Sequence, residues 1–391
     1  MAVYKLFPLQ DSTIYSFYPY MNTGIDPIIE VGNLNVNINP LPQVFRYLVE
    51  FDQNEINSVI NTKVTGSEGK NFSSSLKCFI SNAQGVDFNT NLEIYPISGS
   101  WSNGTGTYLD SPTTVNGVSW KARTFSGSTG NGAAYWDLAG WGNYVTASWS
   151  GSFNQGGATW YTGSDDPYNT NIKVTQSFTL RSQKDLNAPV TDIVNVWYSS
   201  SNNINPYTYI QNNGFIVKWE NPIEFNSADA IQPIMQFYSV DTNTIYPPTL
   251  EIKWNDQIFN TGSLPPIQTT DLFVALDSNP GIFYSESINR FRLNVRPEFP
   301  VRTFLTSSLD TVNHYLPNGS LYSVKDLDTN ETLIDFDPEF TRISCDNQSN
   351  YFDIYMNGLQ PERYYKILIQ TTISGSVIVK DDNYYFKVIN R

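Results

Sequence analysis

Hydrophobic and polar residues alternate with a period of two along most of this chain, the pattern of strands that bury one face. Phe45, Tyr47, Val49 and Phe51 share one side of such a segment, Phe215, Val217 and Trp219 that of a second, and Leu250, Ile252 and Trp254 that of a third. Toward the carboxyl end, Phe352, Ile354 and Met356 and then Tyr365, Ile367 and Ile369 repeat the pattern. Helical spacing is confined to short runs. Glu55 follows Asp52 by three residues, as a capping box requires, and Ile56, Val59 and Ile60 come next at i, i+3, i+4 spacing. Pro189, Thr191 and Asp192 likewise precede Ile193, Val196 and Trp197. The chain is therefore expected to be all-β and largely antiparallel, with helices of one or two turns covering the ends of sandwiches.

Two interruptions divide the pattern. Residues 98–168 hold 13 of the 24 glycines and six of the nine tryptophans, Trp101, Trp120, Trp136, Trp141, Trp149 and Trp160. A loop-rich insertion this long is expected to be functional or to cover neighbouring structure. Between Asn260 and Thr270 the run Thr261-Gly262-Ser263-Leu264-Pro265-Pro266 ends the alternation and marks a boundary between residues 1–260 and 271–391. The second part reads as about seven strands, including a hairpin from Tyr322 to Phe336 that turns at Asp328-Thr329-Asn330-Glu331.

Composition narrows the chemistry. At 391 residues the chain is long enough for two or three domains. Only 15% of residues are charged, and the net charge of −14 with no Lys/Arg cluster disfavours nucleic-acid binding. There are 25 Tyr, 23 Phe and 9 Trp, but His314, Cys78 and Cys345 are the sole residues of the types on which acid-base, metal and thiol chemistry most often rest. That balance points to packing and recognition and away from an enzyme. The start, Met1 to Pro8, has no basic segment followed by an apolar stretch, so no secretory signal is expected. No run approaches the length of a membrane span. Cys78 and Cys345 lie far apart and are expected to be free, buried thiols. A chain of extracellular composition that stays in a reducing cytoplasm fits the virion proteins, which leave the cell at lysis.

Three resemblances add to this reading. Gly358-Leu359-Gln360-Pro361-Glu362-Arg363-Tyr364-Tyr365-Lys366-Ile367 resembles the tyrosine corner of fibronectin type III and immunoglobulin-like (Ig-like) domains, which implies an Ig-like sandwich for residues 271–391. Asp11-Ser12-Thr13-Ile14-Tyr15, Asn22-Thr23-Gly24, Arg46 to Asp52, the segment at Trp101, Val190 to Ile193 leading to Trp197, Gly214 to Lys218, and Pro247 to Leu250 are similar to the DNRLRE-type carbohydrate-binding-like modules. That likeness implies a jelly-roll-like sandwich for residues 1–260, with 98–168 as its enlarged insertion. Met21 to Pro27, Asp241 to Pro248, Gly281 to Arg292 and Asp382 to Val388 resemble virion structural proteins of T4-like phages of marine cyanobacteria. This last resemblance implies a component of a contractile-tailed particle, in the neck, tail, baseplate or decoration, surrounded by other virion proteins in multiple copies.

Candidate sites are weighed against plainer roles. Asp326, Asp328, Asn330 and Asp337 imitate an EF-hand spacing, but Glu331 stands where that loop needs glycine, so a hairpin turn is expected and no metal. His314 has no nucleophile motif beside it, and no cofactor is expected. The tryptophan segment is the one binding candidate. Core filling, subunit contact and glycan binding compete for it, and the alternative to a purely structural protein is an adhesin that contacts host glycans through residues 98–168.

Overall fold

The structure, a computed structural model, describes residues 2–34, 43–64, 71–86, 89–125, 134–136, 156–161, 172–204, 210–224, 232–254, 259–277, 279–299 and 312–390. It is all-β, with three short helices among the described residues. Two compact units make up the chain. One comprises residues 5–59 and 73–251, and the other residues 1–4, 60–72 and 252–391. Among the described residues no helix is long and apolar enough to cross a membrane.

The first stretch of chain contains β1 (Ala2–Leu6), β2 (Pro8–Tyr15), β3 (Ile28–Leu34), β4 (Gln43–Phe51), α1 (Gln53–Thr62), β5 (Phe72–Cys78), β6 (Ile80–Gln84) and β7 (Thr90–Pro96). It continues through β8 (Ala122–Thr124), β9 (Ala134–Tyr135), β10 (Val174–Phe178), β11 (Leu186–Pro189), α2 (Thr191–Ser201), β12 (Phe215–Trp219), α3 (Asn221–Glu224), β13 (Ile234–Tyr238) and β14 (Thr249–Trp254). An eight-stranded sheet runs β10-β7-β12-β4-β3-β13-β6, with β2 added along β4, and a four-stranded sheet runs β1-β14-β5-β11. This is the jelly-roll-like sandwich expected from the sequence. Phe45, Tyr47, Val49 and Phe51 project from one face of β4, where Tyr47 meets Phe237 at 5.7 Å between ring centroids and Phe51 meets Phe215 at 6.2 Å.

Both helix starts lie where the sequence placed them. The Asp52 carboxylate accepts from the Asn54 N–H at 2.9 Å, and Ile56, Val59 and Ile60 are buried. At α2 the expected cap is used differently. The Thr191 hydroxyl accepts from the Ser74 N–H at 2.9 Å, tying the helix start to β5, while Ile193, Val196 and Trp197 turn inward.

The half-buried strands expected from alternation prove to be covered on both faces in β4 and β12. Every residue of β12 is buried, and Val44, Arg46 and Leu48 of β4 are as deeply buried as their neighbours. Alternation reports where residues point; it does not report what lies beyond the second face.

The carboxyl-terminal part holds β15 (Leu272–Asp277), β16 (Ile282–Tyr284), β17 (Ile288–Pro297), β18 (Leu321–Asp326), β19 (Thr332–Ile334), β20 (Ser344–Cys345), β21 (Asn350–Tyr355), β22 (Tyr364–Ile373) and β23 (Ser376–Ile389). The sheets β15-β17-β21-β20 and β16-β23-β22-β18-β19 enclose one core to which both contribute, as in an Ig-like sandwich. Leu272, Leu293 and Phe352 come from the first sheet, and Tyr322, Ile367 and Val388 from the second. Nine strands stand among the described residues here against about seven expected, because β16 and β20 are three and two residues long and too short to show alternation. The tyrosine corner is present: the buried Tyr365 donates its hydroxyl to the Gln360 carbonyl at 2.6 Å. The hairpin of β18 and β19 turns where expected. Asp326 Oδ1 accepts from the Asp328 N–H at 2.8 Å and its Oδ2 from Arg363 at 2.7 Å, so the EF-hand-like spacing is occupied by turn and ion-pair bonds.

Candidate functional site

Trp101, Trp120, Trp136 and Trp160 are gathered into one buried cluster with Ile14, Val44, Leu48, Tyr95, Ile97, Val118, Ala158 and Ile216. The described part of the insertion thus covers the second face of the large sheet. Trp141 and Trp149 lie outside the described residues. Two indole N–H groups are fixed by backbone carbonyls, Trp101 on Asn213 at 2.9 Å and Trp136 on Ser119 at 3.0 Å. None of the four rings is more than 6% exposed, which leaves no open ring face for a sugar to stack on.

Beneath this cover lies a buried ionic chain. Arg46 makes a bidentate pair with Glu224, Nε to Oε1 at 2.7 Å and Nη2 to Oε2 at 3.0 Å, and donates through Nη1 to the Gly157 carbonyl at 2.5 Å. Its guanidinium lies 5.1 Å from the ring centroids of both Trp120 and Trp160. Lys218 reaches Glu224 and Glu93 at 3.3 Å each, and the ionic chain ends at the surface, where the exposed Lys173 pairs with Glu93 at 2.6 Å. Burial by itself would raise the Glu93 carboxyl, but Lys218, Lys173 and the Tyr95 hydroxyl outweigh it and hold the group below the usual carboxylate range. Desolvated charges of this kind are tolerated because each finds charged and hydrogen-bonding partners.

The glycines of the insertion permit the contact. Gly157, at φ +86°, lies so near that a Cβ there would stand 2.8 Å from both the Arg46 guanidinium and the Trp120 ring. Asn22 clasps the insertion to the sandwich. Its amide nitrogen donates to the Asn103 and Val118 carbonyls at 2.6 and 2.8 Å, and its oxygen accepts from the Gly24 and Gly106 N–H groups at 3.2 and 2.8 Å. A single fully buried amide thereby joins three chain segments.

Exposed aromatics of this unit sit beside that clasp. Tyr18 and Tyr108 are about two-fifths exposed, 39% and 41%, with ring centroids 6.4 Å apart. Tyr108 rests on Tyr15 at 5.1 Å, and Tyr18 rests on Phe17 at 4.7 Å. Asp26 Oδ2 accepts from the Tyr108 N–H at 2.9 Å, and Glu30 Oε1 accepts from the Tyr15 hydroxyl at 2.5 Å. The sequence carries no sign of this group, since its tyrosines come from two segments more than 80 positions apart with no spacing to link them.

Other candidates have structural places. The His314 N–H donates to the Val295 carbonyl at 2.7 Å, strapping its loop to β17. Cys78 and Cys345 are free and buried, and burial pushes their thiols up to about 12 and about 11, well out of the range of reactive thiolates. Among the described residues no group of three or more His, Cys, Asp or Glu is placed to hold a metal ion.

No protein-family model matches the chain, and no curated protein matches it. Among solved structures, a DUF4785 family protein from Legionella pneumophila aligns at 8% identity with a TM-score of 0.17, over 99% of this chain and 62% of that one. The tripod from the baseplate of bacteriophage Tuc2009 aligns at 10% identity with a TM-score of 0.15, over 99% of this chain and 92% of that one. At such scores neither likeness carries an argument about fold or function.

Proposed function

We propose that this chain is a non-enzymatic structural protein of a contractile-tailed phage particle, a neck, tail, baseplate or decoration component that assembles through protein-protein contacts. The observation that supports the reading is the use made of the four segments that resemble virion proteins: each is spent on holding a sandwich together. Met21 to Pro27 supplies the Asn22 clasp. Asp241 to Pro248 brings Tyr246 against Phe79 and Tyr238, at 5.1 and 6.3 Å. Gly281 to Arg292 sets Arg290 against Asp353 at 2.9 Å and over the Tyr351 ring at 4.2 Å. In the last segment the Tyr384 hydroxyl crosses between the two sheets to the Val274 carbonyl at 2.6 Å.

Two rigid sandwiches suit repeated display, where individually weak contacts sum by multivalency. The test is to purify particles on a density gradient from cells expressing the gene in its native phage background and to identify their proteins by mass spectrometry. The chain is expected in the particle band at a fixed stoichiometry to the tail proteins. Its confinement to the soluble fraction would refute the proposal.

A further inference from the structure

The exposed tyrosine group beside the Asn22 clasp carries an inference that goes beyond an assembly role. Its rings are held from behind, Tyr108 by Tyr15 and Tyr18 by Phe17, so their outer surfaces are rigid before any ligand arrives. Leu109, beside Tyr108, is 56% exposed and has φ +55°, a conformation costly for a non-glycine residue. The backbone that presents Tyr108 is held in place by the Asp26 carboxylate and by the Leu109 N–H on Met21 Sδ at 3.5 Å.

Two carboxylates lie among the rings. Asp26 uses Oδ2 on the Tyr108 N–H and Oδ1 on the Ile28 N–H at 3.4 Å. Glu30 uses Oε1 on the Tyr15 hydroxyl and Oε2 on the Gln236 amide at 2.8 Å. Each of these oxygens retains a second lone pair. We propose that this platform binds a neutral saccharide, whose ring stacks on Tyr108 with Tyr18, set at 69° to it, as a side wall, while its hydroxyls donate to Asp26 and Glu30.

The chemistry chooses that ligand over its rivals. Aromatic faces attract the apolar C–H face of a sugar ring, and acceptor oxygens at its edge satisfy the hydroxyls. Sulfated or uronic-acid polymers would meet Asp26, Glu30 and Asp110 with like charge. A protein-docking patch keeps its charges at the rim, whereas here the carboxylates bond to the aromatic residues themselves.

Calorimetric titration of the full chain with cellohexaose, maltohexaose and mannohexaose, beside polygalacturonate and dextran sulfate, tests the proposal. At least one neutral hexasaccharide is expected to bind saturably. Tyr108→Leu, which keeps apolar bulk on Tyr15 but removes the flat ring, and Tyr18→Ala should each weaken that binding about tenfold or more. Tyr135→Ala, at an exposed tyrosine elsewhere on the unit, should leave it unchanged. Unfolding midpoints of all variants, followed by tryptophan fluorescence, confirm that the folded chain is being titrated. No saturable binding of any neutral probe at about 10 mM would overturn the assignment. So would preference for the anionic polymers, equal binding by Tyr108→Leu, or concentration-dependent self-association that this substitution abolishes. Particle incorporation is read separately, so either proposal can fail without the other.

Discussion

Replacing Arg46 by Ala is expected to destabilise the larger unit more than other single truncations in its sheet. The guanidinium is 2% exposed, and its removal leaves Glu224, 1% exposed, with Lys218 at 3.3 Å as its ion-pair partner among the described residues. Breaking a buried pair from one side costs about 3–5 kcal/mol, because the surviving charge stays desolvated. The lost packing on Trp120 and Trp160 adds to this, since cation–π contacts at desolvated sites are worth about 2 kcal/mol. Rearrangement and water entry offset part of the sum, and a net loss of about 4 kcal/mol is expected. For a unit of this size that lowers the melting temperature by roughly 8–16 °C. Eight of the nine tryptophans belong to residues 5–59 and 73–251, so urea unfolding followed by tryptophan fluorescence reports on the unit in question. Arg46→Lys should recover little, because an ammonium cannot reproduce the bidentate fork. In a double-mutant cycle, Glu224→Gln should soften the effect of Arg46→Ala by about 1–3 kcal/mol. A loss below about 1 kcal/mol for Arg46→Ala would show that the ionic chain does not secure the cover.

Tyr365→Phe removes the bond to the Gln360 carbonyl, and since Gln360 is exposed and can turn to water the loss should be about 1 kcal/mol, read as a small calorimetric shift of the Ig-like unit. Asp11 is 1% exposed, and burial raises its carboxyl from 3.8 to about 8, against the bond from the Val240 N–H that lowers it. Between about pH 4 and pH 8 the folded chain therefore holds a proton that the unfolded chain has released, so this group's contribution to stability falls as pH rises through that window. Asp11→Asn keeps an acceptor for Val240 and should exceed the wild type by up to about 4 kcal/mol at pH 7 while matching it at pH 4. Parallel urea midpoints for the two proteins across the range would disprove the assignment.

The architecture was legible where sequence pattern and local chemistry coincide. Period-two alternation gives the strands, Asp52 and Thr191 mark the helix starts, and the ten residues ending at Ile367 announce a hydroxyl-to-backbone tie that the structure places on Tyr365. Arg46 between Phe45 and Tyr47, and Lys218 between Val217 and Trp219, were not legible in the same way. A charged residue at an alternate strand position looks identical whether it faces water or a buried partner, and here the partner Glu224 stands 178 positions from Arg46. The tyrosine platform was hidden for a related reason: Tyr is spread so widely along the chain that the few exposed copies leave no compositional trace.

Density of tryptophan and availability of aromatic surface are therefore different quantities in this protein. To offer Trp120 or Trp160 to a ligand, the chain would have to lift the cover and hydrate or strand the Arg46–Glu224 pair. If that opening costs the roughly 4 kcal/mol expected for losing Arg46, the apparent affinity of any ligand binding there falls about a thousandfold. Tyr18 and Tyr108 carry no such penalty, since their exposed surfaces exist in the closed fold and their backs are already packed. A glycan of modest intrinsic affinity could be held by the tyrosines and lost at the tryptophans. The four described tryptophans of the strongest aromatic signal are then those least able to meet a partner, whereas Tyr108 is fixed from outside their cluster, by Asn22 on the Gly106 N–H and by Asp26 on its own N–H.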